Sequence, residues 1–178
     1  MVAALSIGRP RYAEHEAVHT SAGARGRELA DRFLTLAERD AEAYAEFAAA
    51  LKLPKDTDDE RAARSSALKA AARVAAEVPL TCVEACRELV AAAEELAGRS
   101  NANAASDLAV ATLLAEAAAR GAAANVLVNL PSVADETFAA TASSRVGALL
   151  AEISALGLAT RAIVSSGEAR GPLTASNA

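Results

Sequence analysis

Apolar residues recur along most of the chain at three- and four-residue spacing, the period of helices that bury one face. From about Gly26 to Leu51 the repeat runs through Leu29, Phe33, Leu36, Ala43, Phe47 and Ala50. Leu53-Pro54-Lys55 ends that helix. Thr57, followed three residues later by Glu60, has the form of a capping box and opens a helix over about Asp58 to Val78. Pro79 suits the first turn of a further helix, which reaches Leu96 before Gly98 stops it. In the stretch NANAASDLAVATLLAEAAARGAAANVLVNL, Ser106 is a natural N-cap and Gly121 a break. Pro131 marks a boundary, and a last helix starts near Asp135 and runs to about Ile163. Residues 1–7 read as the remnant of a first helix ended by Gly8 and Pro10, and residues 165–178 as a flexible tail. No alternating β-branched run is bounded by turn residues. The pattern predicts an all-α bundle of about five to seven helices in a single domain over residues 1–178.

Composition supports this. The chain is 53% hydrophobic but only 3% aromatic, with Ala at most helix-compatible positions, so closely approaching helices are expected. A net charge of −5 without a basic block argues against nucleic acid as a partner. Charged residues and Asn break the apolar stretches before about 18 residues, so no transmembrane helix and no membrane partner are expected. The N-terminus lacks the pattern of a signal peptide, which points to the cytoplasm. Cys82 and Cys86, one turn apart, read as small buried apolar residues rather than a metal edge.

Polar residues inside apolar runs are costly unless paired or used. Asp107 either favours the first turn of its helix or serves a site. Asn125 and Asn129 share a face one turn apart. Asp40 falls where an inward residue belongs, as a boundary residue bonded to a neighbour or as a carboxylate aimed into a cleft. Arg9, Arg11 and Lys55 are candidate anion contacts, or else solvated charges at helix ends. His15-Glu16-Ala17-Val18-His19 is a literal H-E-x-x-H, the spacing of a zinc peptidase. Its flanks are polar and no strand is available to align a peptide, so the match reads as accidental and no metal is expected.

Several strings in order, MVAALSIGRPRY, DAEAYAEFAAALKLPKDTDDERAAR, AAEVPL, SDLAVA and NVLVNL, resemble the formiminotransferase-cyclodeaminase C-terminal family over roughly residues 1–160. The resemblance implies an all-α homodimer with a substrate groove at the dimer interface. It implies a folate enzyme, either a formimidoyltetrahydrofolate cyclodeaminase or a methenyltetrahydrofolate cyclohydrolase. By position it implies Asp107 as catalytic, with Asn125, Asn129, Asp40 and Lys55 as binding or supporting residues. Arg9 and Arg11, with Lys55, suit the anionic glutamyl tail. No cofactor is implied beyond the tetrahydrofolate substrate, and a separate formiminotransferase chain is an expected partner of the cyclodeaminase. Family members carry a P-x-P-G-G-G-S-like segment and a full first helix upstream of the part equivalent to Met1-Val-Ala-Ala-Leu, and part of the cleft is expected to come from it. The alternative in another class is a non-catalytic helical dimerisation or folate-binding module.

Overall fold

The computed structural model describes residues 1–173, and the chain folds into four long α-helices with two short 3-10 turns among these residues. The helices are α1 (Glu16–Leu51), α2 (Asp58–Leu96), α3 (Ala105–Val133) and α4 (Glu136–Ser166). The 3-10 turns, Pro10–His15 and Ala102–Ala104, lead into α1 and α3. The all-α architecture is as expected, with fewer and longer helices.

Three expected boundaries are absent. Pro79 lies inside α2, which runs unbroken where two helices were expected. Gly121 lies inside α3, and so does Pro131. α1 starts ten residues earlier than the apolar repeat suggests, because its first turns pack on the N-terminal segment. Ser106 is not the cap of α3; Ala104 holds that position without a side-chain hydrogen bond.

Other end signals are realised. The Thr57 hydroxyl accepts from the Glu60 N–H while the Glu60 carboxylate accepts from the Thr57 N–H, and this hydrogen bonding holds the Glu60 carboxyl below its usual range. Asp135 caps α4 by accepting from the Phe138 N–H, which likewise lowers its carboxyl, with help from Arg73.

α2 is the central helix and packs on α1, α3 and α4, while α3 also packs on α4. Its Ala72, Ala76, Val83 and Val90 meet Ala119 and Val126 of α3 and Leu149 and Ile153 of α4. Alanines at the α2–α3 contact let the backbones approach closely. Residues 1–7 form hydrogen-bonded turns rather than a helix, ended by Gly8 at φ +71°, and Val2 and Ala3 pack against Ala22, Leu96 and Leu108.

The tail differs from expectation. Ser165 and Ser166 complete α4, and Arg170 then docks on α2, its guanidinium 2.7 Å from Glu94 Oε1 and its N–H on Gly98 O. Gly98 sits at φ +74°, and a Cβ there would come 2.6 Å from the Glu168 carbonyl, so only glycine fits. Residues 174–178 lie outside the described residues.

The expectation about apolar length is also corrected. α3, with the turn before it, and α4 are long and apolar enough to cross a membrane, because scattered polar residues barely lower the mean hydropathy of an Ala-rich helix. Yet in their most apolar windows only 33% and 28% is buried.

Candidate active-site groove

α1 and α3 flank α2 with their backbones held apart, so a groove floored by α2 runs along the bundle between them. It widens at three places.

The first widening, about 440 Å³, lies where α3 begins. Asp107, half-buried in the first turn of α3, faces Gly23, Gly26 and Arg27 of α1 across Leu89 and Leu96 of α2. Among its described lining residues Asp107 and Arg27 are the charged ones, and Met1 to Ala4 close one side. The walls are otherwise Ala, Gly, Leu and Val, a poorly solvating setting for a carboxylate.

The middle widening, about 250 Å³, gathers Asp40 of α1, Pro79 and Cys82 of α2, and Asn125 of α3 around Phe33 and Leu36. Asp40 and Asn125 are exposed at its rim, and Cys82 is half-buried at its floor. The fully buried Cys86 thiol hydrogen-bonds to Cys82 and lowers its thiol to about 7, against the opposing effects of burial and the Asp40 charge. The same contact and burial push Cys86 up. Asn129 does not line this cleft. Its side chain lies against α2, donating to Ala75 O and to Asn125 O, each at 2.9 Å.

The third widening, about 600 Å³, is basic: Lys55, Arg61, Arg64 and Lys69 surround Phe47 and Leu51. Arg61 pairs with Asp58 and also donates to Asp56 O and Lys55 O; Arg64 donates to Leu51 O at 3.1 Å. No acidic side chain is among its described lining residues.

Arg9 and Arg11 stand apart from the groove. Arg9 is exposed, and Arg11 stacks on Tyr12 at 5.6 Å beside a separate cavity of about 190 Å³ closed by residues 167–170. The H-E-x-x-H string straddles the junction of the 3-10 turn and α1. Glu16 accepts from the Gly8 N–H at 3.2 Å, and His19 Nε2 donates to Arg99 O at 2.9 Å. His15 and His19 are buried edge to face with ring centroids 6.3 Å apart, and burial lowers the His15 imidazole. Both histidines have a ring nitrogen tied into the fold or beside a neighbour, and among the described residues no group of three His, Cys, Asp or Glu converges.

Helix geometry sets the spacing of the candidates. At about 1.5 Å per residue, Asp107 and Asn125 lie about 27 Å apart along α3, while Asn125 and Ser132 of the basic end are about 10 Å apart. The structure therefore brings Asp40, Asn125 and Lys55 into adjoining parts of one groove and leaves Asp107 at its other end. Sequence reasoning missed Cys82, Arg64 and Lys69 as groove residues. Their helical phase carries the signal, since Leu68 and Lys69, Pro79 and Cys82, and Leu89 and Leu96 fall on one side of α2.

Comparison with known proteins adds the following. The pattern of the family described as formiminotransferase-cyclodeaminase matches residues 1–148. A methenyltetrahydrofolate cyclohydrolase from Methylorubrum extorquens is 38% identical over 156 residues, 88% of this chain and 75% of that protein. A formimidoyltransferase-cyclodeaminase from Sus scrofa is 39% identical over 121 residues, 68% of this chain but 22% of that protein. The crystal structure of formiminotetrahydrofolate cyclodeaminase from Thermotoga maritima superposes with a TM-score of 0.80 at 26% identity, covering 93% of this chain and 79% of that one.

Proposed function

Because the chain belongs to the formiminotransferase-cyclodeaminase family, we propose that it is a folate enzyme acting on the one-carbon bridge of tetrahydrofolate, foremost as a methenyltetrahydrofolate cyclohydrolase. The observation that carries this reading is the 38% identity with the Methylorubrum cyclohydrolase, spread over most of both chains. The cyclodeaminase reaction is the second reading, supported by the fold likeness to the Thermotoga enzyme.

The chemistry suits the groove. In hydrolysis, water adds to the cationic bridge carbon and loses a proton. One carbon–nitrogen bond then breaks as the hydroxyl proton passes to the freed nitrogen, and a formyltetrahydrofolate results. In cyclodeamination, nitrogen 10 attacks the carbon of the protonated formimidoyl group on nitrogen 5, and its amino group takes the proton that nitrogen 10 gives up and leaves as ammonia. Both routes pass through an amidinium-like cation, which a carboxylate in an apolar cleft stabilises and relays protons for. Asparagine amides match the donor–acceptor edge of a pterin. Lys55, with Arg64 and Lys69, suits the glutamyl carboxylates.

Spacing constrains the assignment. Asp107 lies further from the basic end than an extended folate reaches from its pterin to its first glutamate, so one ligand in one protomer touches only one of the two. A homodimer whose second copy roofs the groove would let Asp107 serve a ligand held partly by the other copy, and this is our reading of the catalytic Asp107. Asp40 is the carboxylate placed to meet a folate anchored on Lys55 within a protomer. Arg9 and Arg11, outside the groove, fit a folate tail only if the second copy reaches them. The same reading assigns the reaction to the cytoplasm, with no cofactor beyond the folate and, for the cyclodeaminase, a separate formiminotransferase chain as supplier.

Loss of the methenyl absorbance, set beside ammonia release from formimidoyltetrahydrofolate, tests the proposal on one preparation. The cyclohydrolase rate is expected to dominate. Asp107→Asn is expected to lower turnover by about a hundredfold or more with helical circular dichroism unchanged. Near-normal turnover in that variant together with loss in Asp40→Asn moves the catalytic role to Asp40. Absence of both activities in the unaltered protein leaves a non-catalytic folate-binding or dimerisation module.

A further inference from the structure

Pro79 lines the middle of the groove from inside α2, and because it has no N–H it leaves the Ala75 carbonyl without its intrahelical donor. Asn129 of α3 fills the gap. Its Nδ2 group gives one hydrogen to Ala75 O and the other to Asn125 O, each at 2.9 Å. The half-buried side chain has thus committed both donors, and it does not line the cleft that Pro79 and Asn125 line. One amide fixes α3 against α2 at the turn where Asn125 presents its side chain to the groove.

We propose that Asn129 is a positioning residue of the folate groove, paired with Pro79: it repairs the proline's missing hydrogen bond and thereby sets the separation of α2 and α3 and the placement of Asn125. The catalytic half of this proposal rests on the folate reading above; the structural half stands without it. Pro79 interrupts the hydrogen-bond ladder at the groove floor, and Asn129 keeps that interruption from loosening the helix pair.

A double-variant cycle on the full chain tests this. Asn129→Ala strands the Ala75 carbonyl and is expected to lower Tm by about 4 °C or more. Pro79→Ala restores a backbone N–H to Ala75 O, so in that background Asn129→Ala is expected to shift Tm by less than about 2 °C. With methenyltetrahydrofolate as substrate, Asn129→Ala alone is expected to lower kcat/KM by about tenfold, as displaced groove residues do. Relative to Pro79→Ala, the double variant is expected to lose less than about twofold. Equal losses of kcat/KM in both backgrounds overturn the proposal in favour of direct substrate contact. An unchanged Tm in Asn129→Ala, or coupled Tm values without a change in kcat/KM, overturns it as well. If the unaltered protein turns over neither folate, the functional reading fails and takes the catalytic half with it, while the Tm cycle still decides the tie.

Discussion

At the scale of single residues, the groove's least expected group is the Cys82 thiol. The Cys86 hydrogen bond favours its thiolate, lowering it to about 7, while Cys86 itself is buried and raised. The thiolate is the reactive species, so the rate of alkylation by iodoacetamide at Cys82 should climb through pH about 7 and level off above it, with Cys86 unmodified in the folded protein. Mass mapping of the adduct across a pH series checks this, and preferential labelling of Cys86 contradicts it. An adduct at Cys82 would occupy the cleft beside Asp40 and Asn125, so turnover should fall with labelling, and Cys82→Ser should remove that sensitivity. Composition reads both cysteines as small core residues, which is right for Cys86. Cys82 differs because α1 and α3 part above it, and the distance between two flanking helices is not written into one helix's periodicity. Asp40 was legible as a polar residue in an inward phase for the same reason that it faces the groove.

At the scale of elements, the helix starts that carry a side-chain cap were legible, whereas the helix interruptions and the starts of α1 and α3 were not. Thr57 and Asp135 act on adjacent backbone, so their type and spacing are sufficient to place a start. Thr57→Ala should cost about 1 kcal/mol, lowering Tm by about 2–4 °C, as scanning calorimetry would show. The pH dependence of the caps follows from the lowered carboxyls of Glu60 and Asp135. Both bind protons less readily folded than unfolded, so their stabilisation is full above the ordinary carboxylate range and is lost as pH falls through the depressed values. Asp135→Asn should therefore flatten the acid limb of a Tm-against-pH curve while changing little near neutrality; an unaltered acid limb contradicts the cap's role. Pro79 and Gly121 misled because local propensity was weighed without neighbours. A glycine costs a helix only about 1 kcal/mol relative to alanine, and α3 recovers it through burial against α2 and α4. The proline's missing hydrogen bond is made good by Asn129, fifty residues away in sequence, which no local pattern shows.

At the scale of the whole molecule, α3 and α4 present an apolar face that nothing among the described residues covers. Val110, Leu113, Leu114 and Val128 of α3 and Leu158 of α4 are 51–70% exposed. Several charged side chains on these helices pair across to other helices, Glu116 with Arg161, Arg145 with Glu84 and Glu152 with Arg87. Exposed apolar surface this continuous marks an interaction site. The covered face of α3 holds Leu108, Thr112, Ala119 and Val126; the exposed one lies opposite, next to the groove, so a partner there would roof the groove as well. A second copy satisfies both conditions at once, since a two-fold pairing of α3 on itself buries the face and brings the two grooves to the interface. Light scattering on the eluting protein should give twice the chain mass. Val128→Glu, which places an unpaired charge on the face, should give the single-chain mass with helical content retained and turnover lost. A monomeric unaltered protein that instead floats with liposomes would assign the face to a lipid surface, and an unaffected dimer in Val128→Glu would place the interface elsewhere. Coupled loss of dimer and turnover would explain why one protomer separates Asp107 from the residues that should share its substrate.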